Sequence, residues 1–228
     1  DNTNGNANTV HFTGSSSTVT GGGIHSNSGI HLGSVTTDVG PVEYDVDDQA
    51  NLSNYVGPAL TQVAHFPMPQ LYDIADFQPP NGQYWTQACA DGKCFQSAHL
   101  TQIQSDGLYY VSGDVDVGNA ETSQAVTIVA TGPIKISVRP NVSFRPYLAG
   151  LFLFSTQTAP GQPAIDLGGH SPEDNPRGYD GNLYAPNGVI KMSSQNTHEV
   201  RGSVFGWEVD FSGSTNIINF HPEYCPPT

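Results

Sequence analysis

Gly181-Asn-Leu-Tyr-Ala-Pro-Asn-Gly-Val-Ile-Lys-Met-Ser193 is answered, twenty-one residues further on, by Gly202-Ser-Val-Phe-Gly-Trp-Glu-Val-Asp-Phe-Ser212. Gly181 aligns with Gly202, Leu183 with Val204 and Tyr184 with Phe205. A two-residue slip then brings Val189–Ser193 onto Glu208–Ser212. Ile24-His-Ser-Asn-Ser-Gly-Ile30 has the same form as Leu183–Val189. The unit is a short strand, a glycine corner and another short strand. A period near twenty residues implies a solenoid, in which each coil buries its apolar edge only against its neighbours.

Working outward, short alternating segments begin at Val10: Val10-His-Phe12, Thr18-Val-Thr20, Ile24-His-Ser26, Ile30-His-Leu32 and Val39–Tyr44. Alternation points Val10, Phe12, Ile30 and Leu32 inward and His11 and His31 outward. After Gly107 the series resumes with Leu108–Val111, Val115-Asp-Val117, Val126–Val129, Ile134–Val138, Val142-Ser-Phe144 and Leu151–Phe154. The apolar runs around Ile128 and Leu151 predict strands buried on both sides. Segments this short, joined by Gly and Ser, fit the coils of a β-helix better than hairpins. About eight coils at ~4.8 Å per rung make a stack about 40 Å tall.

The reading is therefore one all-β domain over residues 1–228, a right-handed parallel β-helix. It carries an irregular, partly helical insertion over 45–106 and a flexible Asn-rich arm over 1–9. Within the insertion, Leu52, Tyr55, Val56, Ala59, Leu60 and Val63 follow helical spacing, broken by Gly57-Pro58, which predicts a short helix. The aromatics Phe66, Tyr72, Phe77, Tyr84, Trp85 and Phe95 are expected to pack along the solenoid's side as a second core. A structureless loop of that length is improbable in a compact domain.

Only 12% of the residues are charged, and 7 Lys and Arg oppose 21 Asp and Glu, for a formal charge of −14. Without a basic cluster to displace counterions, nucleic acid and anionic membranes are excluded as partners. No run reaches the roughly 20 apolar residues of a membrane span. Polar Asp1–Asn6 is no signal peptide, so the sequence reads as a mature, processed form or a fragment. Cys89-Ala-Asp-Gly-Lys-Cys94 brackets a turn, and a disulfide there would contribute about 2 kcal/mol; two free thiols are the alternative. For Cys225, remaining free, pairing between chains and displacing one of the other two are all open. The composition points outside the cell.

Four phrases carry a resemblance, in this order: Ile24–Ile30 (IHSNSGI), Gly107–Val117 (GLYYVSGDVDV), Val126–Ile136 (VTIVATGPIKI) and Leu183–Val189 (LYAPNGV). The series resembles the extracellular β-helix domain of bacterial Tad/Flp pilus-assembly-like (TadG-related) surface proteins, over about 10–45 and 107–220. More loosely, it is similar to bactofilin-type and ice-binding solenoids. The first resemblance implies a non-enzymatic surface protein, a pilus-like filament subunit or pilus-associated adhesin, with self-association or other surface proteins as partners. It supplies no catalytic residues.

Among the residues themselves, three acidic groups come forward: Asp45, Asp47 and Asp48; Asp114 and Asp116; and Glu173, Asp174 and Asp180. Carboxylates in such groups suit a hard cation such as calcium, which takes six to eight oxygens, or a glycosidase pair. Solvated surface acids are the simpler account, and no cofactor is required. No EF-hand, nucleophile elbow, P-loop or dinucleotide fingerprint is present. A carbohydrate-active or carbohydrate-binding acidic groove, as in lyases or hydrolases built on β-helices, is the alternative function. Thr18, Thr20, Thr36 and Thr37 do not extend into the threonine ladder that ice binding needs. The stack's two edges would otherwise invite strand pairing, and the C-terminal prolines are expected to block one while the arm at 1–9 adds to a neighbour's.

Overall fold

The computed structural model describes residues 8–38, 40–45, 50–65, 67–139, 142–159, 161–169, 178–221 and 224. Strands dominate and pair in parallel, as a β-helix requires. Each coil turns through three short faces. In the first coil these are Asn8–Phe12, Ser16–Thr20 and Ile24–His25. In the next they are Gly29–Leu32, Val35–Thr37 and Val42–Asp45.

The opening repeat forms adjacent rungs. Leu183 lies opposite Val204, Tyr184 opposite Phe205, Val189 opposite Glu208 and Ser193 opposite Ser212. A register shift between Ala185 and Val189 takes up the two-residue slip. Here the chain runs through the corners in two long strands, Asn182–Arg201 and Val204–Asn219. The glycine corner is tight: a Cβ on Gly202 (φ +155) would stand 2.3 Å from the Gly181 carbonyl oxygen, so no larger residue fits.

The order of coils is not the order of the chain. Val10, His11 and Phe12 pair with Val209, Asp210 and Phe211 on one side and with Ile30, His31 and Leu32 on the other. On the second face Ser16–Thr20 pairs with Thr215–Asn219. The stack therefore ascends through residues 94–219 and continues, across a seam, through 8–63. On the first face it has nine rungs, from Leu100 at one end to Ala50–Leu52 at the other, about 38 Å at ~4.8 Å per rung. The first and last coils thus meet inside the stack and not at its edges, and the arm expected over 1–9 ends earlier, since Asn8 opens the first strand; the edge roles expected of the arm and of the C-terminal prolines fall outside the described residues. Residues 1–7, 222–223 and 225–228, Cys225 among them, lie outside the described residues.

This order explains the insertion. A chain that finishes its upper block at Leu60–Val63 must return to the foot of the stack before Cys94–Ser97 can begin. Residues 67–93 make that return along the third face. There Tyr72, Phe77, Trp85 and Ala88 pack on Leu108, Tyr110, Val129, Leu151, Phe154 and Tyr184 as a second core. The covering accounts for the uninterrupted burial of Gly107–Val111 and Leu151–Ser155, which face the interior on one side and the crossover on the other. Tyr72, Phe77, Tyr84 and Trp85 thus form a second core, as expected, whereas Phe95 belongs to a coil strand and stacks on Tyr109 in the solenoid's own core, and Phe66 lies outside the described residues.

Two boundaries are corrected. Residues 50–63 and 94–100 belong to coils, so the irregular part of the 45–106 insertion is narrower. The helix predicted around Leu52–Val63 is absent: Ala50–Leu52 and Leu60–Val63 are strands on different faces, and Leu52 and Val56 are 46% and 62% exposed. Their helical spacing had no single surface to bury. The helix lies instead at Gln83–Ala90, where Trp85 and Ala88, three apart, turn one side inward. Cys89 and Cys94 are disulfide-bonded and tie that helix to the first strand of the lower block.

Inside the solenoid, like residues stack rung on rung. Phe144, Phe152 and Tyr179 stack at 5.6 and 5.7 Å between ring centroids. Phe12 and Phe211 stack at 4.6 Å across the seam.

Candidate functional site: a charged ladder on the first face

Beyond Leu100, each of the eight remaining rungs of the first face is an apolar–polar–apolar triplet, and alternation sends the middle residue outward. In register order these middle residues are Asp116, Lys135, Asp166, Lys191, Asp210, His11, His31 and Asn51. Five consecutive rungs alternate in sign at the ~4.8 Å rung spacing. Opposite charges at that separation stabilise neighbours, whereas a one-rung error would place like charges together.

The local environments differ along the ladder. Burial pushes the Asp166 carboxyl above its ordinary range, and Lys191 and Lys135 on either side pull it part of the way back. Burial lowers the His31 imidazole, and His11 lowers it further; the two rings meet edge to face at 4.8 Å. Glu208, two residues before Asp210, is raised by burial first and by Asp210 second. Beside it Trp207 is 41% exposed, one of three large apolar side chains so placed among the described residues.

The residues singled out from sequence are dispersed. Asp116 is a rung of the ladder. Asp114 lies 2.9 Å from His99 Nδ1, and this hydrogen bond holds its carboxyl below the ordinary range. Asp45 lies 3.6 Å from His65. Asp180 accepts from Arg201 Nε at 2.7 Å and also from Arg201 Nη2. Asp47, Asp48, Glu173 and Asp174 lie outside the described residues. Among the described residues, no three His, Cys, Asp or Glu side chains converge as a metal ion would require. Asp45, Asp114 and Asp116 are not brought together.

Lys135, Asp166, Lys191, Trp207, Glu208 and Asp210 were not singled out beforehand. The triplets Val115-Asp-Val117, Ile134-Lys-Ile136, Ile165-Asp-Leu167, Ile190-Lys-Met192 and Val209-Asp-Phe211 held the signal. Chemically, the two ammoniums of the ladder offset most of its three carboxylates, and each carboxylate has an ammonium on a neighbouring rung. That arrangement suits a structural face more than proton transfer. Comparison with protein-family models, with curated proteins and with solved structures matches this chain to none of them.

Proposed function

We propose that this chain is a non-catalytic structural component of the bacterial cell surface, which self-associates as a pilus-like filament subunit or a pilus-associated adhesive part. The observation that carries the reading is the state of the stack's two ends. Ala50–Leu52 and Leu60–Val63 at one end, and Cys94–Ser97 at the other, each have a strand partner on one side only among the described residues. Strand edges of this kind recruit further strands unless charge or proline protects them. The coil Ala50–Ala64 holds one proline and no Asp, Glu, Lys, Arg or His, although the chain carries a net −14. Leu52 and Val56 are exposed on it. The resemblance to TadG-related domains, the disulfide and the low charge content support an extracellular setting. Negative-stain microscopy and light scattering across a concentration series test it: filaments or a rising mass are expected, and a monomer at every concentration sinks it.

A second reading is favoured by Trp207. An exposed indole beside the half-buried Glu208, with Asp210 two positions on, offers a sugar ring a stacking surface and hydrogen-bonding carboxylates. Residues i and i+2 of a strand lie about 6.8 Å apart, close to the carboxylate spacing of inverting glycosidases. A glycan array with and without calcium, together with a reducing-sugar assay, separates glycan binding from hydrolysis. Silence in both removes this reading.

A further inference from the structure

We propose that copies of this chain exchange their upper blocks, residues 8–63 of one copy stacking on Val204–Asn219 of another. The proposal rests on the self-association reading and names the surface that would serve it. Three observations lead to it.

The first is the nature of the seam. Val204–Asn219 and the upper block pair in parallel register and share the Phe12–Phe211 stack, yet no direct chain connection joins them there. Their connection runs through the crossover instead. Any second copy presents the same complementary edge, so the partner's recognition chemistry is already built into the monomer.

The second is the way the seam is built. Ile24–His25, Val42–Asp45 and Leu60–Val63 form a sheet of their own, so among the described residues the upper block is paired to the lower one on two faces and not on the third. Within the seam, Asn216 lies opposite Ser17. Both side chains are buried, and Asn216 Oδ1, Asn216 Nδ2 and Ser17 Oγ have no hydrogen-bond partner within the protein. Unsatisfied buried polar groups favour opening at that joint.

The third is the strap between the blocks. Its lower end is fixed, because the Tyr184 hydroxyl donates to the Pro69 carbonyl at 2.9 Å and the Asn182 amide donates to the Tyr72 hydroxyl at 2.9 Å. Only six residue steps separate Val63, in the last strand of the upper block, from Pro69. The hinge between the blocks is short, and short hinges favour exchange. Reciprocal exchange closes a two-fold dimer, and successive exchange builds an open chain.

Two single variants, His11→Cys and Asp210→Cys, each in a Cys225→Ser background, test this. The two positions face one another on neighbouring rungs, a separation of about 5 Å that suits a disulfide. They are unfolded, mixed, refolded at high concentration and oxidised. A His11→Cys/Asp210→Cys heterodimer on a non-reducing gel is expected, since neither variant can close the bond within itself. Its absence overturns the proposal, provided that both variants show the parent's circular dichroism and the double variant cross-links internally. A strap lengthened by four Gly and Ser residues after Ala64 is expected to lower the heterodimer yield severalfold, and an unchanged yield removes the short hinge as a cause and the proposal with it. Large assemblies by light scattering without the heterodimer leave the self-association reading standing and dismiss exchange. A heterodimer without filaments does the reverse.

Discussion

Asp210, in the last coil of the chain, stands directly opposite His11, in the first. Through this pair an alternating ladder that starts at Asp116 passes from the lower block into the upper one without a break. Above His11 comes His31, whose ring meets that of His11 edge to face at 4.8 Å. The seam between blocks is thus also the place where the alternating Asp and Lys rungs give way to histidine.

Stability is expected to fall as pH drops below neutrality. The His31 imidazole is lowered from 6.5 by burial and by His11, so the folded state resists a proton that the unfolded chain accepts. The stability linked to this group is fully present above pH 6.5 and is lost as pH falls through the lower folded value. Melting curves between pH 7.5 and 5 should show this loss in the parent, and His31→Gln should flatten it. An equal slope in the variant would place the sensitivity elsewhere.

Asp166 has the opposite sign. Its carboxyl is raised from 3.8 mainly by burial, so its contribution is fully present below pH 3.8 and is lost as pH rises through the folded value. Asp166→Asn is therefore expected to raise the melting temperature at pH 7, with the gain vanishing below pH 3.8. A loss at pH 7 would mean that attraction to Lys135 and Lys191 outweighs burial.

Much of the architecture could be read from the chain because a parallel coil carries its own signature. Adjacent rungs that are also adjacent in sequence, Leu183 with Val204 and Ser193 with Ser212, align by inspection even across the slip. The stacking order could not be read, because Val10-His-Phe12 has the same alternation whether it meets Val209-Asp-Phe211 or nothing. Alternation reports which way a side chain points and carries no information about which coil lies above. The false helix at Leu52–Val63 has a related cause: an end coil lacks a neighbour on one side, so its apolar residues need not mark a buried stripe. The same blindness hid the site, since Lys135 and Asp166 gain significance only as neighbouring rungs.

Asp180 and Arg201 occupy register positions of adjacent coils, and their two-point contact is largely shielded, with side-chain exposures of 12% and 23%. Arg201→Met strands a carboxylate in that setting and should cost about 2–3 kcal/mol, somewhat below the value for a fully buried pair. Adding Asp180→Asn should recover part of the loss. Urea unfolding of the two singles and the double closes the cycle, and strict additivity would deny the coupling.

Gly202→Ala should be among the most damaging small substitutions, because the new Cβ meets backbone at 2.3 Å and the φ of +155° disfavours it as well. A loss of about 3 kcal/mol or more is expected. Gly118 is the control: its added Cβ meets nothing within 4 Å, and Gly118→Ala should stay within about 0.5 kcal/mol of the parent. Similar losses at both sites would show that glycine serves chain entropy and not corner geometry.

The last expectation concerns a polar pair whose removal should help. Asn216 is fully buried and Ser17 is 1% exposed, and the amide and hydroxyl have no partner within the protein. A buried polar atom without a partner costs about 1–3 kcal/mol, whereas apolar groups of the same shape in both positions can stabilise. Leucine branches at the same carbon as asparagine, and alanine differs from serine by one oxygen, so Ser17→Ala with Asn216→Leu changes polarity more than shape. Thermal unfolding should shift upward by the equivalent of about 1–2 kcal/mol. Because this pair lies in the seam, the stabilised double variant should also slow exchange of the upper block in the mixed-cysteine experiment. A destabilised double variant would show that the two groups are satisfied in solution, and a stabilised variant that exchanges as fast would place the opening step away from the seam.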